Sequence, residues 1–139
     1  MEESICPKKF DVVVIGIIFN PETKQVLIGR REEDPYIQDL TWCFPGGRVI
    51  QGEDIDKSLK QEIKKKTGYG IKNLGAFFAE TCHARSDLVA VYFLTQVFEG
   101  NEQPGDGVKE LKWVSPKELD KYFTHNYHRK LKQFMEELI

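Results

Sequence analysis

Long apolar runs are missing from this chain: the longest, residues 12–19, has eight. A membrane-spanning helix needs about 20, so no membrane partner is expected. The opening Met1-Glu2-Glu3-Ser4 is acidic and has none of the apolar character of a secretion signal. Cysteine is scarce as well. The three present, Cys6, Cys43 and Cys82, lack C-x-x-C spacing, which argues against a disulfide framework and against a zinc centre. A cytoplasmic chain is expected from these absences. Neither sign of charge dominates, since 20 basic and 22 acidic residues leave a net charge of -2. Duplex-binding domains carry a basic excess, so duplex nucleic acid is not expected as a partner. G-x-G-x-x-G and the Walker spacing are both absent, which removes the dinucleotide and P-loop readings.

What remains is a chain of 139 residues, 40% hydrophobic and 30% charged. One domain over residues 1–139 is expected, long enough to bury its own core. No repeat, linker or low-complexity stretch interrupts it. Residues 11–19 are β-branched and apolar at both parities, the pattern of a strand buried on both faces. Asn20-Pro21-Glu22-Thr23 has turn chemistry, and residues 26–29 predict a returning strand. Residues 30–40 read as loop, and Trp42-Cys43-Phe44 as a short extended piece halted by Pro45-Gly46-Gly47. Ile55, Leu59 and Ile63 form one apolar stripe of a helix over residues 54–67. Asp54 is its expected N-cap, and Gly68 or Gly70 its left-handed end. Strands are predicted over 74–82, 88–98 and 110–114, then a short helix opening at Ser115-Pro116. Residues 127–139 predict a closing helix with Leu131, Phe134, Met135 and Leu138 inward. Strands first, one helix between them and helices last describe an α/β sandwich with a mixed sheet.

The chemistry-bearing segment runs from Gly47 to Glu53, spans seven residues, and resumes as Gln61-Glu62-Ile63-Lys64-Lys65-Lys66-Thr67-Gly68-Tyr69. It resembles the Nudix box, G-x5-E-x7-R-E-U-x-E-E-x-G-U with U aliphatic. Gly47, Glu53, Glu62, Ile63 and Gly68 match in register. Trp42-Cys43-Phe44-Pro45-Gly46-Gly47 is similar to the family's entry, and residues 111–119 to its exit strand and helix. The resemblance implies a Nudix-type α/β/α sandwich with a mixed β-sheet. Three positions depart from the box: Gln61 stands for Arg, and Lys65 and Lys66 stand for the paired Glu.

In the family, glutamates at those places gather Mg²⁺ or Mn²⁺ around the substrate's diphosphate. Hard cations want several oxygen ligands, whereas an ammonium supplies none and repels the ion. Weak Mg²⁺ or Mn²⁺ binding is therefore expected, with Glu62 and the Gly46 carbonyl as the remaining ligands. Glu62 and Glu53 are the implied catalytic residues. The implied substrate-binding residues are Arg30, Arg48, Lys65 and Lys66. Lys64-Lys65-Lys66 also reads as a solvated helix end, where lysine suits the helix dipole. Alternatively, Lys65 and Lys66 neutralise the diphosphate in place of metal. Gly107 falls where many members carry another metal-binding glutamate, with Asp106 adjacent and out of register. Glu80, His83 and Arg85 sit near the expected mouth of the cleft, whereas His125 and His128 read as surface or capping groups. Trp42 and Phe44 read as core. Glu62 itself reads as an exposed helix residue.

By resemblance the chain is a hydrolase of a nucleoside diphosphate linked to another group. A Nudix-fold module that binds a nucleotide without turning it over is the alternative. A third is sugar-carbon chemistry like that of GDP-mannose mannosyl hydrolases, whose box is also irregular. All take a small-molecule nucleotide.

Overall fold

Apolar side chains at both parities oblige residues 11–20 to lie in the middle of a sheet, and they do. The computed structural model describes residues 9–32, 41–82, 85–124 and 127–139. Strand β1 (Asp11–Asn20) pairs in parallel with β6 (Leu88–Gly100), from Asp11 opposite Leu88 to Ile18 opposite Thr95. Along its other edge β1 meets two antiparallel partners in turn. Strand β4 (Gly46–Arg48) takes Val13 to Ile15, and β2 (Gln25–Arg31) takes Phe19 and Asn20. Strand β5 (Tyr69–Thr81) flanks β6, while β3 (Trp42–Cys43) and β7 (Val108–Val114) flank β2. The result is a mixed sheet of seven strands.

Alternation along β1 divides the core into two layers. Val13 and Ile17 face the C-terminal helices α2 (Leu119–Tyr122) and α3 (Arg129–Glu136) through Leu119, Leu131 and Met135. Val14 and Ile18 face α1 (Ile55–Thr67) through Leu59 and Ile63. The α/β/α sandwich follows from that alternation. Trp42 and Phe44 belong to the C-terminal side, edge-on against Tyr122 and Phe123.

Helix α1 begins and ends where its sequence says. Asp54 accepts from the Lys57 N–H at 3.0 Å. Gly68, at φ 83°, donates its N–H back to the Lys64 carbonyl at 3.0 Å. Most predicted bounds move by one or two residues, and two elements differ by more. Strand β5 starts directly after Gly68 rather than at residue 74, because register breaks at Gly70, Asn73 and Ala76 let a Gly-containing segment stay paired with β6. Helix α3 is shorter than predicted and begins after His128, whose Nδ1 accepts from the Lys130 N–H at 3.0 Å. Cys6, His83 and His125 lie outside the described residues.

Tyr92 of β6 is buried on the C-terminal side and donates its hydroxyl to Glu80 at 3.1 Å. Burial, then the charge and hydrogen bond of Glu80, raise its pKa well above the ordinary phenol value. Unfolded tyrosine ionises near about 10, so stability from this group is intact below that pH and lost as pH rises further. Tyr92→Phe should therefore lose less Tm than the parent between about pH 8 and 11. Identical losses in the two thermal melts would contradict this account.

Candidate functional site

At the centre of the site two successive glycines, Gly46 and Gly47, open β4. Gly46 and Gly47 lie opposite Ile15 and Val14, and the Gly16 N–H donates to the Pro45 carbonyl at 2.9 Å. A β-carbon at Gly47 would collide with Glu62 Oε1 and come within 2.6 Å of its carboxyl carbon. Only a glycine lets the Glu62 carboxylate approach the strand that closely.

Glu62, Lys65 and Lys66 share one side of α1, as their spacing requires. Glu62 Oε2 pairs with the Lys65 ammonium at 3.2 Å, and Oε1 with that of Lys66 at 3.3 Å. Lys66 also donates to the Gly46 carbonyl. The lysines differ in exposure: the Lys65 side chain is 58% exposed and that of Lys66 only 6%. Glu62 is 18% exposed, so the reading of an exposed helix residue gives way to a carboxylate held in an ion triad. Glu62, by hydrogen bond and then by charge, raises the Lys65 pKa; Asp106 and Glu53 add smaller effects. Those two carboxylates thus lie on the same side of the molecule as Lys65. Glu53 accepts from Ser58 Oγ at 3.3 Å through one oxygen. The wall beyond is the 101–107 loop, where Gln103 and Gly105 donate N–H bonds to the Thr67 and Lys66 carbonyls.

The two arginines chosen from the sequence sit elsewhere. Leu27 faces α1, so alternation along β2 turns Arg30 to the opposite face. There it pairs with Glu110 at 3.1 Å and with Glu32 at 3.8 Å. Arg48 is exposed and pairs with Asp11 at 2.7 Å. Arg31 is the arginine on α1's face. Its Nε is buried and has no hydrogen-bond partner among the described residues, and a β-carbon at Gly107 would lie 3.3 Å from its Nη2. The pairing with β7 shifts register between Arg30 and Arg31, and the contact with Gly107 places Arg31 beside the 101–107 loop. Glu80 is taken by Tyr92, and Arg85 pairs with Asp87 and Asp11.

These features define an α/β/α protein whose helix carries a carboxylate and two ammonium groups against a Gly-Gly strand. The family description NUDIX domain matches residues 9–137, and the chain belongs to that family. It is 30% identical over 116 residues to an 8-oxo-dGTP diphosphatase of Buchnera aphidicola, covering 84% of this chain and 85% of that one. An ADP-ribose pyrophosphatase of Methanocaldococcus jannaschii is 28% identical over 129 residues, covering 89% and 72%. A solved MutT structure, from work on the Aliivibrio salmonicida and Vibrio cholerae proteins, superposes with TM-score 0.70 at 24% identity, over 94% of this chain and 98% of that one. A NUDIX hydrolase of Nitrosomonas europaea gives 0.76 at 19% identity, over 95% and 73%.

Nudix hydrolases generally use divalent metals, and the donor set here does not fit one. The Gly46 carbonyl already accepts from the Lys66 ammonium, and both Glu62 oxygens are ion-paired with ammonium groups. Among the described residues no cluster of three His, Cys, Asp or Glu side chains could hold a metal ion.

Proposed function

We propose that this chain hydrolyses a phosphoric anhydride bond in a nucleoside diphosphate linked to another group. The ion triad of Glu62, Lys65 and Lys66 against Gly46 and Gly47 carries the reading, because it gathers fixed positive charge where the box helix meets the Gly-Gly strand. Relatives named as an 8-oxo-dGTP diphosphatase and an ADP-ribose pyrophosphatase support the substrate class.

Water attacks one phosphorus, the bridging P–O bond breaks, and two phosphate-bearing products leave. Glu53 takes the water's proton: one of its oxygens accepts from Ser58, and the other has no partner among the described residues. Glu62 holds the two ammonium groups in place, and Lys65 offsets charge that builds on the phosphoryl oxygens. A panel of nucleoside triphosphates, ADP-ribose, nucleotide sugars and dinucleoside polyphosphates, assayed with Mg²⁺, with Mn²⁺ and with EDTA, tests the reading. Glu53→Gln should lower kcat on the turned-over substrate by on the order of a hundredfold. Equal turnover by parent and variant would remove Glu53 from the mechanism.

A second reading has its own support: both Glu62 oxygens are engaged, as in a binding module that no longer turns nucleotide over. Nucleotide binding in calorimetry with no product after hours would favour it.

A further inference from the structure

We infer that the Lys66 ammonium is a covalently tethered substitute for a divalent cation, so that this cleft takes a diphosphate without metal. The inference rests on reading the cleft as a diphosphate site, and it holds whether or not the bound nucleotide is turned over.

Its basis is the ammonium's position and surroundings. Lys66 Nζ lies between a main-chain carbonyl, that of Gly46, and the Glu62 carboxylate. A hard cation chooses the same kind of oxygen donors. The side chain is 6% exposed, so the charge has been taken out of water. Burying an ammonium costs more than filling the same space with leucine or methionine. Filling space therefore does not account for lysine here. An ammonium carries three hydrogens; among the described residues one goes to the Gly46 carbonyl, and Glu62 Oε1 lies 3.3 Å away as an ion-pair partner. That leaves donor capacity for a ligand oxygen. Lys65, far more exposed and paired to the other Glu62 oxygen, extends the positive charge toward solvent. Arg31, with its orphaned Nε, adds a further guanidinium on the same face. A metal entering between Gly46 and Glu62 would have to displace Lys66 and meet two fixed positive charges.

Two measurements on the intact chain test this, neither requiring turnover. The first is calorimetry with inorganic pyrophosphate. The parent should bind it equally in EDTA and in Mg²⁺, and Lys66→Gln should weaken the EDTA-resistant binding by about tenfold to a hundredfold. The second is free Mn²⁺ measured by electron paramagnetic resonance. The parent should leave the Mn²⁺ signal unchanged, whereas Lys66→Glu should sequester the ion at least about tenfold more tightly. Lys66→Gln is one bond shorter than lysine but keeps an uncharged N–H donor and adds no charge, so the calorimetric arm survives a poorly folding Lys66→Glu. Pyrophosphate binding that requires a divalent ion, or is unaffected by Lys66→Gln, overturns the inference. So does a parent that binds Mn²⁺ as tightly as Lys66→Glu. A chain that binds pyrophosphate in EDTA yet hydrolyses nothing in the nucleotide panel upholds the tethered cation and removes the hydrolase.

Discussion

Gly47→Ala should yield a folded protein whose ligand affinity and turnover are reduced by on the order of a hundredfold, the scale of two lost charge-assisted bonds. The added methyl would overlap Glu62 Oε1 and approach its Cδ to 2.6 Å. Those atoms end a flexible side chain, so Glu62 can swing away and the backbone need not move. In swinging it leaves the Lys65 and Lys66 ammonium groups without their shared carboxylate. Circular dichroism should be unchanged while pyrophosphate calorimetry loses its signal. The neighbouring change, Gly46→Ala, provides the contrast. Its methyl would meet the Val14 carbonyl and lie 2.9 Å from Ile15 Cα, backbone that cannot rotate aside. That variant should lose stability itself, by about 3 kcal/mol. If Gly47→Ala binds as the parent does, the Glu62 triad is not part of the ligand site.

Ile63→Ala should cost about 3 kcal/mol and lower Tm by on the order of 10 °C. Ile63 is fully buried between α1 and β1, in the layer with Val14, Ile18 and Leu59. Its Cδ1 fills the space that a β-carbon at Gly16 would occupy. Gly16→Ala alone should therefore overpack the same spot, and the pair should be strongly non-additive. With Ile63 truncated, the methyl at position 16 enters the vacated space and should recover about 1 kcal/mol. Thermal melts of the two single variants and the double variant complete the cycle. Additive losses would show that Ile63 and Gly16 do not share one packing site.

How much of this was legible beforehand depended on whether the signal was local. The two-faced apolar pattern of residues 11–19 placed β1 at the centre of the sheet, and Asp54 and Gly68 marked both ends of α1. Those signals act within one turn or one strand. Strand β4 was not legible, because Pro45-Gly46-Gly47 reads as a stop and becomes a strand only through β1 beside it. The extra length of β5 was hidden similarly, since Gly70 and Gly75 discourage a strand until β6 supplies bulged pairing. At the site, the sequence put Glu62, Lys65 and Lys66 on one helix face but not the direction of the Lys66 ammonium. That direction depends on a carbonyl 20 residues earlier in the chain. Arg30 and Arg31 could not be told apart beforehand, because which one turns toward α1 depends on the strand's facing and on a register shift between them.

The parallel pairing of β1 with β6 sets the order in which a newly made chain can fold. Asp11 opposite Leu88 and Val26 opposite Val114 are contacts between distant parts of the sequence. Contacts of that separation slow folding. At roughly 5–20 residues per second, a ribosome needs on the order of ten seconds to advance from β1 to the end of β6. Throughout that interval the emerging polypeptide carries a strand that is apolar on both sides and has no parallel partner. Translation speed and chaperone occupancy, more than the stability of the finished sandwich, should govern how much of this protein a cell recovers.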